Sequence, residues 1–125
     1  MEQQSVNHLE ALYQSQISLL QNLENTLDRE KVALDEEEMY FFYELSDHKQ
    51  QQVVELETLK RKEKEICADM RSLRAPDVAL ALSRLDPSGQ LTTLFEKKVS
   101  LTKRCTRMNL TNGLKLNSMQ WLTTA

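Results

Sequence analysis

The chain has 125 residues, of which 40% are hydrophobic and 28% charged, with a formal net charge of −3; it is long enough for one domain around a single core and too apolar to be wholly disordered. Its glycines and prolines are Pro76, Pro87, Gly89 and Gly113, and so little turn punctuation excludes a sandwich, a barrel or alternating strands and helices. The charge divides unevenly: residues 1–59 carry 13 acids and 3 bases, a net of −10, and residues 60–125 carry 6 acids and 13 bases, a net of +7, so the second half either attracts the first or offers a basic arm to nucleic acid.

The expected class is all-α. Over 5–34 the apolar residues Val6, Leu9, Tyr13, Ile17, Leu20, Leu23, Leu27 and Leu34 recur at gaps of three and four, with one turn skipped, which predicts a helix with a single buried stripe. Asp35 followed by Glu38, with Leu34 and Met39 on either side, has the form of a capping box and hydrophobic staple. This places a reversal near 33–36 and an antiparallel helical hairpin; the alternative is one continuous helix of about 70 residues, roughly 100 Å long. A second helix over 36–73 carries Met39, Phe42, Leu45, Val53, Leu56, Leu59, Ile66, Met70 and Leu73, interrupted by Lys49 and Glu63. Such interruptions cost stability but can fix register between paired helices. The run Lys60-Arg61-Lys62-Glu63-Lys64-Glu65 reads as a solvated face with mixed-sign support at spacings of three and four.

Arg74-Ala75-Pro76-Asp77 ends the second helix, because the residue before proline disfavours the helical region. A short third helix over 77–85 presents Val78, Ala81, Leu82 and Leu85, and Asp86-Pro87-Ser88-Gly89 turns the chain. The last helix starts near 88–90 and runs to about 122, with Leu91, Leu94, Leu101, Cys105, Met108, Leu116, Met119 and Leu122 on its main stripe and Asn112 in the same line. A second row, Phe95, Val99, Leu110, Leu114 and Trp121, gives this helix two sides to bury. Its surplus on Leu110, Leu114, Trp121 and Leu122 asks for another surface: a helix of the same chain, a homodimer seam, or a client. The chain thus divides into a hairpin over 1–74, a short helix and turns over 75–89, and a long amphipathic C-terminal helix over 90–125, all one structural unit.

Catalytic chemistry has no recognisable basis here, and the expectation is a protein that is not an enzyme and uses no cofactor or metal. His8 and His48 stand apart among polar residues, Asp35 to Glu38 lacks the alternating ligands and glycine of a calcium loop, and Gly89 and Gly113 form no phosphate-cradling loop. Cys67 and Cys105 fall on apolar faces as inert thiols. The beginning of the sequence has neither the basic nor the apolar region of a signal peptide, and no apolar run is long enough to insert in a membrane, so a cytoplasmic location is expected.

The stretch Cys105-Thr106-Arg107-Met108-Asn109-Leu110-Thr111-Asn112-Gly113-Leu114-Lys115-Leu116 resembles the signature of FlgN-type flagellar export chaperones, an N-x-x-N-G core followed by an amphipathic tail. Leu27-Asp28-Arg29-Glu30-Lys31-Val32-Ala33-Leu34 and the run from His48 to Leu59 are also similar to that family's pattern, so the likeness extends in order along nearly the whole chain. It implies a cytosolic type III export chaperone that binds and masks the C-terminal helical ends of the hook-associated junction proteins FlgK and FlgL and brings them to the export gate. The residues that would carry client binding are Leu101, Cys105, Met108, Asn109, Leu110, Asn112, Gly113, Leu114, Leu116, Met119, Trp121 and Leu122. The family commonly presents a tyrosine near its C-terminus to the gate; here tyrosines occur only at Tyr13, Tyr40 and Tyr43, which leaves Trp121 as the substitute contact. Gly113, costing about 1 kcal/mol in a helix relative to Ala, marks either close approach of a client backbone, a kink, or a helix end at Asn112-Gly113.

Two readings compete with this one. A homodimeric coiled-coil scaffold or adaptor would use the same apolar rows. A nucleic-acid binder would use the basic arm, but no aromatic lies between Lys97 and Lys115 to stack on bases, so no nucleic-acid partner is expected.

Overall fold

The computed structural model describes residues 2–69 and 78–124, with side chains described for 3–68 and 78–120. Four helices account for the described chain: α1 (Glu2–Asp35), α2 (Met39–Asp69), α3 (Val78–Leu85) and α4 (Gln90–Thr124). The all-α class, the hairpin, the short third helix and the long last helix are as the sequence implies. The expected end of the second helix, with Met70 and Leu73, and the Arg74-Ala75-Pro76-Asp77 break lie outside the described residues.

α1 is the central element. It packs against both α2 and α4, and α3 packs against α4. Side-chain pairs fix the directions: Gln16 meets Glu63 and Glu30 meets Ser46, so α2 returns antiparallel to α1. Glu10 meets Gln90, Glu24 meets Arg104 and Asp35 meets Lys115, so α4 runs parallel to α1. Every apolar residue of the α1 stripe, from Val6 to Leu34, is buried. Three clusters line up along the bundle. Leu9 and Tyr13 pack with Ala81, Leu82 and Leu91 at one end. Leu20, Leu23 and Leu27 pack with Leu56, Leu101 and Cys105 in the middle, and Leu34 packs with Phe42 and Leu45 at the other end. Truncating one of these leucines typically costs about 2–5 kcal/mol.

The hairpin turn sits a few residues later than the capping-box pattern implies. Asp35 stays helical, Glu37 adopts a left-handed conformation with φ 57°, and the amides of Glu37 and Glu38 donate to the carbonyls of Leu34 (3.2 Å) and Ala33 (2.8 Å). This is the hydrogen-bond pattern of a Schellman C-cap, built on a glutamate where glycine is usual. α2 then begins with Phe42 N–H donating to Glu38 C=O. The staple survives the shift: Leu34 is buried, and Met39 packs on the same cluster.

The turn into α4 follows the sequence closely. Asp86 Oδ1 accepts from Ser88 Oγ (2.6 Å) and Ser88 N (3.2 Å), while Oδ2 accepts from Leu91 N (3.0 Å), satisfying an amide that the first turn of α4 leaves open. Gly89, at φ 82°, lets the chain turn into the helix.

Candidate functional site

The helix to which the client-binding residues were assigned, α4, is continuous through Gly113 to Thr124, so Asn112-Gly113 is not a helix end. Its assigned residues fall into two sets. Leu101, Cys105 and Asn112 are buried, and Met108, Leu116 and Met119 are half-buried, packing towards the middle and far clusters. Leu110 and Leu114 are 62% and 59% exposed, and Asn109 and Gly113 are exposed beside them. At about 100° per residue, Leu110 and Leu114 each stand some 160° round the helix from the buried Asn112. The side chains of Trp121 and Leu122 lie outside the described residues.

The two asparagines of the N-x-x-N-G core are bound within the bundle. Asn112 Nδ2 donates to the carbonyl of Leu27 (3.0 Å) and to Glu30 Oε1 (3.3 Å). Asn109 Oδ1 accepts from Lys49 Nζ (2.9 Å). The same ammonium lies 3.0 Å from Glu30 Oε2, and Ser46 Oγ donates to that oxygen at 2.8 Å. Glu30 is 0% exposed. It occupies the turn that the α1 stripe skips, Lys49 is one of the two interruptions on α2, and Asn112 is the polar residue in the α4 line. Three irregularities in three helices therefore form one connected crossing, which satisfies a carboxylate that would be costly to bury alone.

The other interruption, Glu63, anchors a second crossing. It accepts from Gln16 Nε2 (2.9 Å) and from Lys98 Nζ (2.8 and 3.0 Å), and Lys98 Nζ also stands 5.0 Å from the centroid of the Tyr13 ring and 5.1 Å from that of Phe95. Among the described residues the buried Tyr13 hydroxyl has no hydrogen-bond partner; burial, and secondarily the Glu63 charge, raises its pKa well above the usual phenol range. Lys98 and Glu30 were not singled out from sequence. The skipped turn marked the position of Glu30, whereas nothing along the chain distinguished Lys98 from its neighbour Lys97.

Among the described residues, two thiols are the other groups whose pKa the fold shifts upward. Burial pushes the Cys105 thiol up to about 11, helped by Glu24, and its Sγ donates to Leu20 C=O at 3.5 Å. Burial and the Glu63 charge also raise Cys67. Both shifts favour the protonated thiol at neutral pH. Among the described residues no group of three or more His, Cys, Asp or Glu is placed to hold a metal. No family model, curated protein or solved structure matches the chain.

Proposed function

We propose that the chain is a cytosolic export chaperone of the FlgN type, which covers the C-terminal helical ends of the hook-associated junction proteins FlgK and FlgL and brings them to the flagellar export gate. The observation that carries this reading is the exposed pair Leu110 and Leu114 on the outer side of α4. Two large leucines one turn apart form a ridge that suits an amphipathic partner helix. A client end awaiting assembly exposes such a helix, and α4 masks it without consuming nucleotide. Gly113 lies between the leucines, and a Cβ built on it would meet nothing within 4 Å, so no contact within the described chain accounts for the glycine, whereas a client backbone passing close to α4 would. Trp121 lies two turns beyond Leu114 on the same row by sequence position, and it is the proposed contact for the gate. No described helix is long and apolar enough to cross a membrane, which is compatible with this role.

The test is titration calorimetry of the chain with a peptide from the C-terminal helix of a junction protein. The double change Leu110→Ala with Leu114→Ala should leave helicity and melting unchanged, because both side chains are exposed, while weakening client capture at least tenfold, about 1.4 kcal/mol. Unchanged affinity places the client surface elsewhere. If sedimentation shows that the parent chain is a dimer and that the same double change dissociates it, the row is a seam between copies and the scaffold reading replaces this one.

A further inference from the structure

Where α2 runs antiparallel to α4, two cavities adjoin and share Glu57 and Lys60 in their walls. The smaller, of about 210 Å³, is floored by Leu20, Leu23 and Leu27 of α1. The larger, of about 590 Å³, opens between the end of α2, the start of α3 and the early turns of α4, with Cys67, Val78 and Phe95 as its apolar wall. The charges around this second cavity do not balance. Lys98 and Glu63 neutralise each other, which leaves Lys60, Arg61 and Lys64 opposed, among the described residues of the wall, by Glu57. The mixed-sign support expected along Lys60-Arg61-Lys62-Glu63-Lys64-Glu65 does not form: among the described residues Lys60, Arg61 and Lys64 make no ion pair. A half-apolar cavity rimmed by three cations without an ion pair among the described residues thus stands in a chain whose net charge is negative.

The chemistry of the walls selects the occupant. Unpaired ammonium and guanidinium groups call for carboxylates, and the concave apolar wall calls for a large hydrophobic side chain between them. Phe95 is half-buried, with its ring tilted against Tyr13 at 5.9 Å and the Lys98 ammonium 5.1 Å from its centroid. We propose that the cavity bounded by α2, α3 and α4 is a docking site for an acidic peptide segment of a partner protein, which inserts one large apolar side chain against Cys67, Val78 and Phe95 while its carboxylates meet Lys60, Arg61 and Lys64. Lys98 lies about 18 Å along α4 from Leu110 at 1.5 Å per residue, so this site is separate from the proposed masking row and stands or falls without it.

The experiment is fluorescence anisotropy of the full chain with a labelled dodecapeptide of glutamates and aspartates around a central Leu-Phe pair. The parent chain should bind it. Lys60→Ala with Arg61→Ala and Lys64→Ala, all at exposed helical positions, should weaken binding at least tenfold with unchanged circular dichroism, whereas Lys103→Ala with Arg107→Ala should change it less than about twofold. Replacing the peptide's Leu-Phe pair by Ser-Ser should weaken binding at least about fivefold. Bound peptide should also slow alkylation of Cys67, with the buried Cys105 as internal reference, a readout that needs no variant. The proposal is overturned if the parent does not bind the dodecapeptide, if the Ser-Ser peptide binds equally well, if the two sets of alanine changes weaken binding alike, or if Cys67 is not protected. It is also overturned if anionic vesicles or a single-stranded oligonucleotide compete the peptide away at equal charge concentration.

Discussion

Glu30 and Glu63 carry out the same operation at two depths. Each replaces an apolar residue on its helix stripe and each takes a lysine from another helix, Lys49 for Glu30 and Lys98 for Glu63. Each draws donors from the other two long helices, Glu30 from α2 and α4 and Glu63 from α1 and α4, but Glu30 is fully enclosed. Glu63 and Lys98 keep 17% and 12% side-chain exposure, and the lysine has two aromatic rings beside it as an alternative environment. Both crossings therefore tie the three long helices in register, the first without access to water and the second with some. What differs is access to water, which sets the penalty for losing a partner.

The largest expected effect follows from breaking the deeper crossing. Lys49→Met leaves Glu30 charged and enclosed with only Ser46 and Asn112 as donors, and should lower unfolding free energy by about 3–5 kcal/mol in urea titration. Adding Glu30→Leu removes the stranded charge and should recover most of that loss, because an apolar pair of similar volume often matches or exceeds a buried ion pair. A loss below about 1 kcal/mol for Lys49→Met alone would place the two crossings in the same class and remove the contrast between them.

Glu63→Gln tests the shallower crossing. The amide keeps a hydrogen bond to Gln16, and Lys98 keeps its cation–π contacts and reaches water, so the expected cost is about 1 kcal/mol. The two crossings should also respond differently to salt. High ionic strength should reduce the cost of Glu63→Gln, since partly exposed charges are screened, and should leave that of Lys49→Met nearly unchanged. The exposed Glu24–Arg104 pair, 3.1 Å apart, belongs with the screened group. Together with Asp35–Lys115 and Glu63–Lys98 it joins the basic last helix to the acidic hairpin, as the division of charge along the sequence implies.

The contrast also explains what was legible in the sequence. Apolar periodicity fixes which face of each helix is buried, and the α1 stripe is buried at every position named from that pattern, from Val6 to Leu34. The same periodicity shows where a stripe fails, at Glu30, Lys49, Glu63 and Asn112, without showing which failures meet. Pairing depends on the axial offset and rotation of one helix against another, which a pattern within one helix does not contain. Asn109 and Asn112 illustrate the result: read along the chain they belong to a client-binding signature, and in the fold both are engaged with the Glu30–Lys49 pair. The hairpin turn was misplaced for a local reason. A left-handed C-cap usually announces itself by glycine or asparagine, and here Glu37 takes that conformation at a cost of about 1–2 kcal/mol, so the Asp35–Glu38 cap pattern was the only signal to read.

Asp86 extends the comparison to a carboxylate at the surface, and it gives the smallest effect. Among the described residues no cation pairs with it; Ser88 and the amide of Leu91 hydrogen-bond to its ionised form, and these bonds, the Ser88 hydroxyl first, hold its pKa below the usual 3.8. Between the lowered folded value and the ordinary unfolded one, the unfolded chain binds more protons than the folded chain, so stability falls as pH falls. The contribution is fully present above the ordinary aspartate range and is lost as pH drops through the folded value. Urea midpoints measured from about pH 6 downward should thus decline less steeply in Asp86→Asn than in the parent, since the amide can still accept from Leu91 N–H but does not titrate. Hydrogen exchange should locate the difference in the first turn of α4, near Leu91, with the middle of the helix at Leu101 and Cys105 unaffected. A parent and variant that decline in parallel would mean that the cap is equally strong with a neutral acceptor. Charge would then matter to this fold only where water is excluded, as at Glu30.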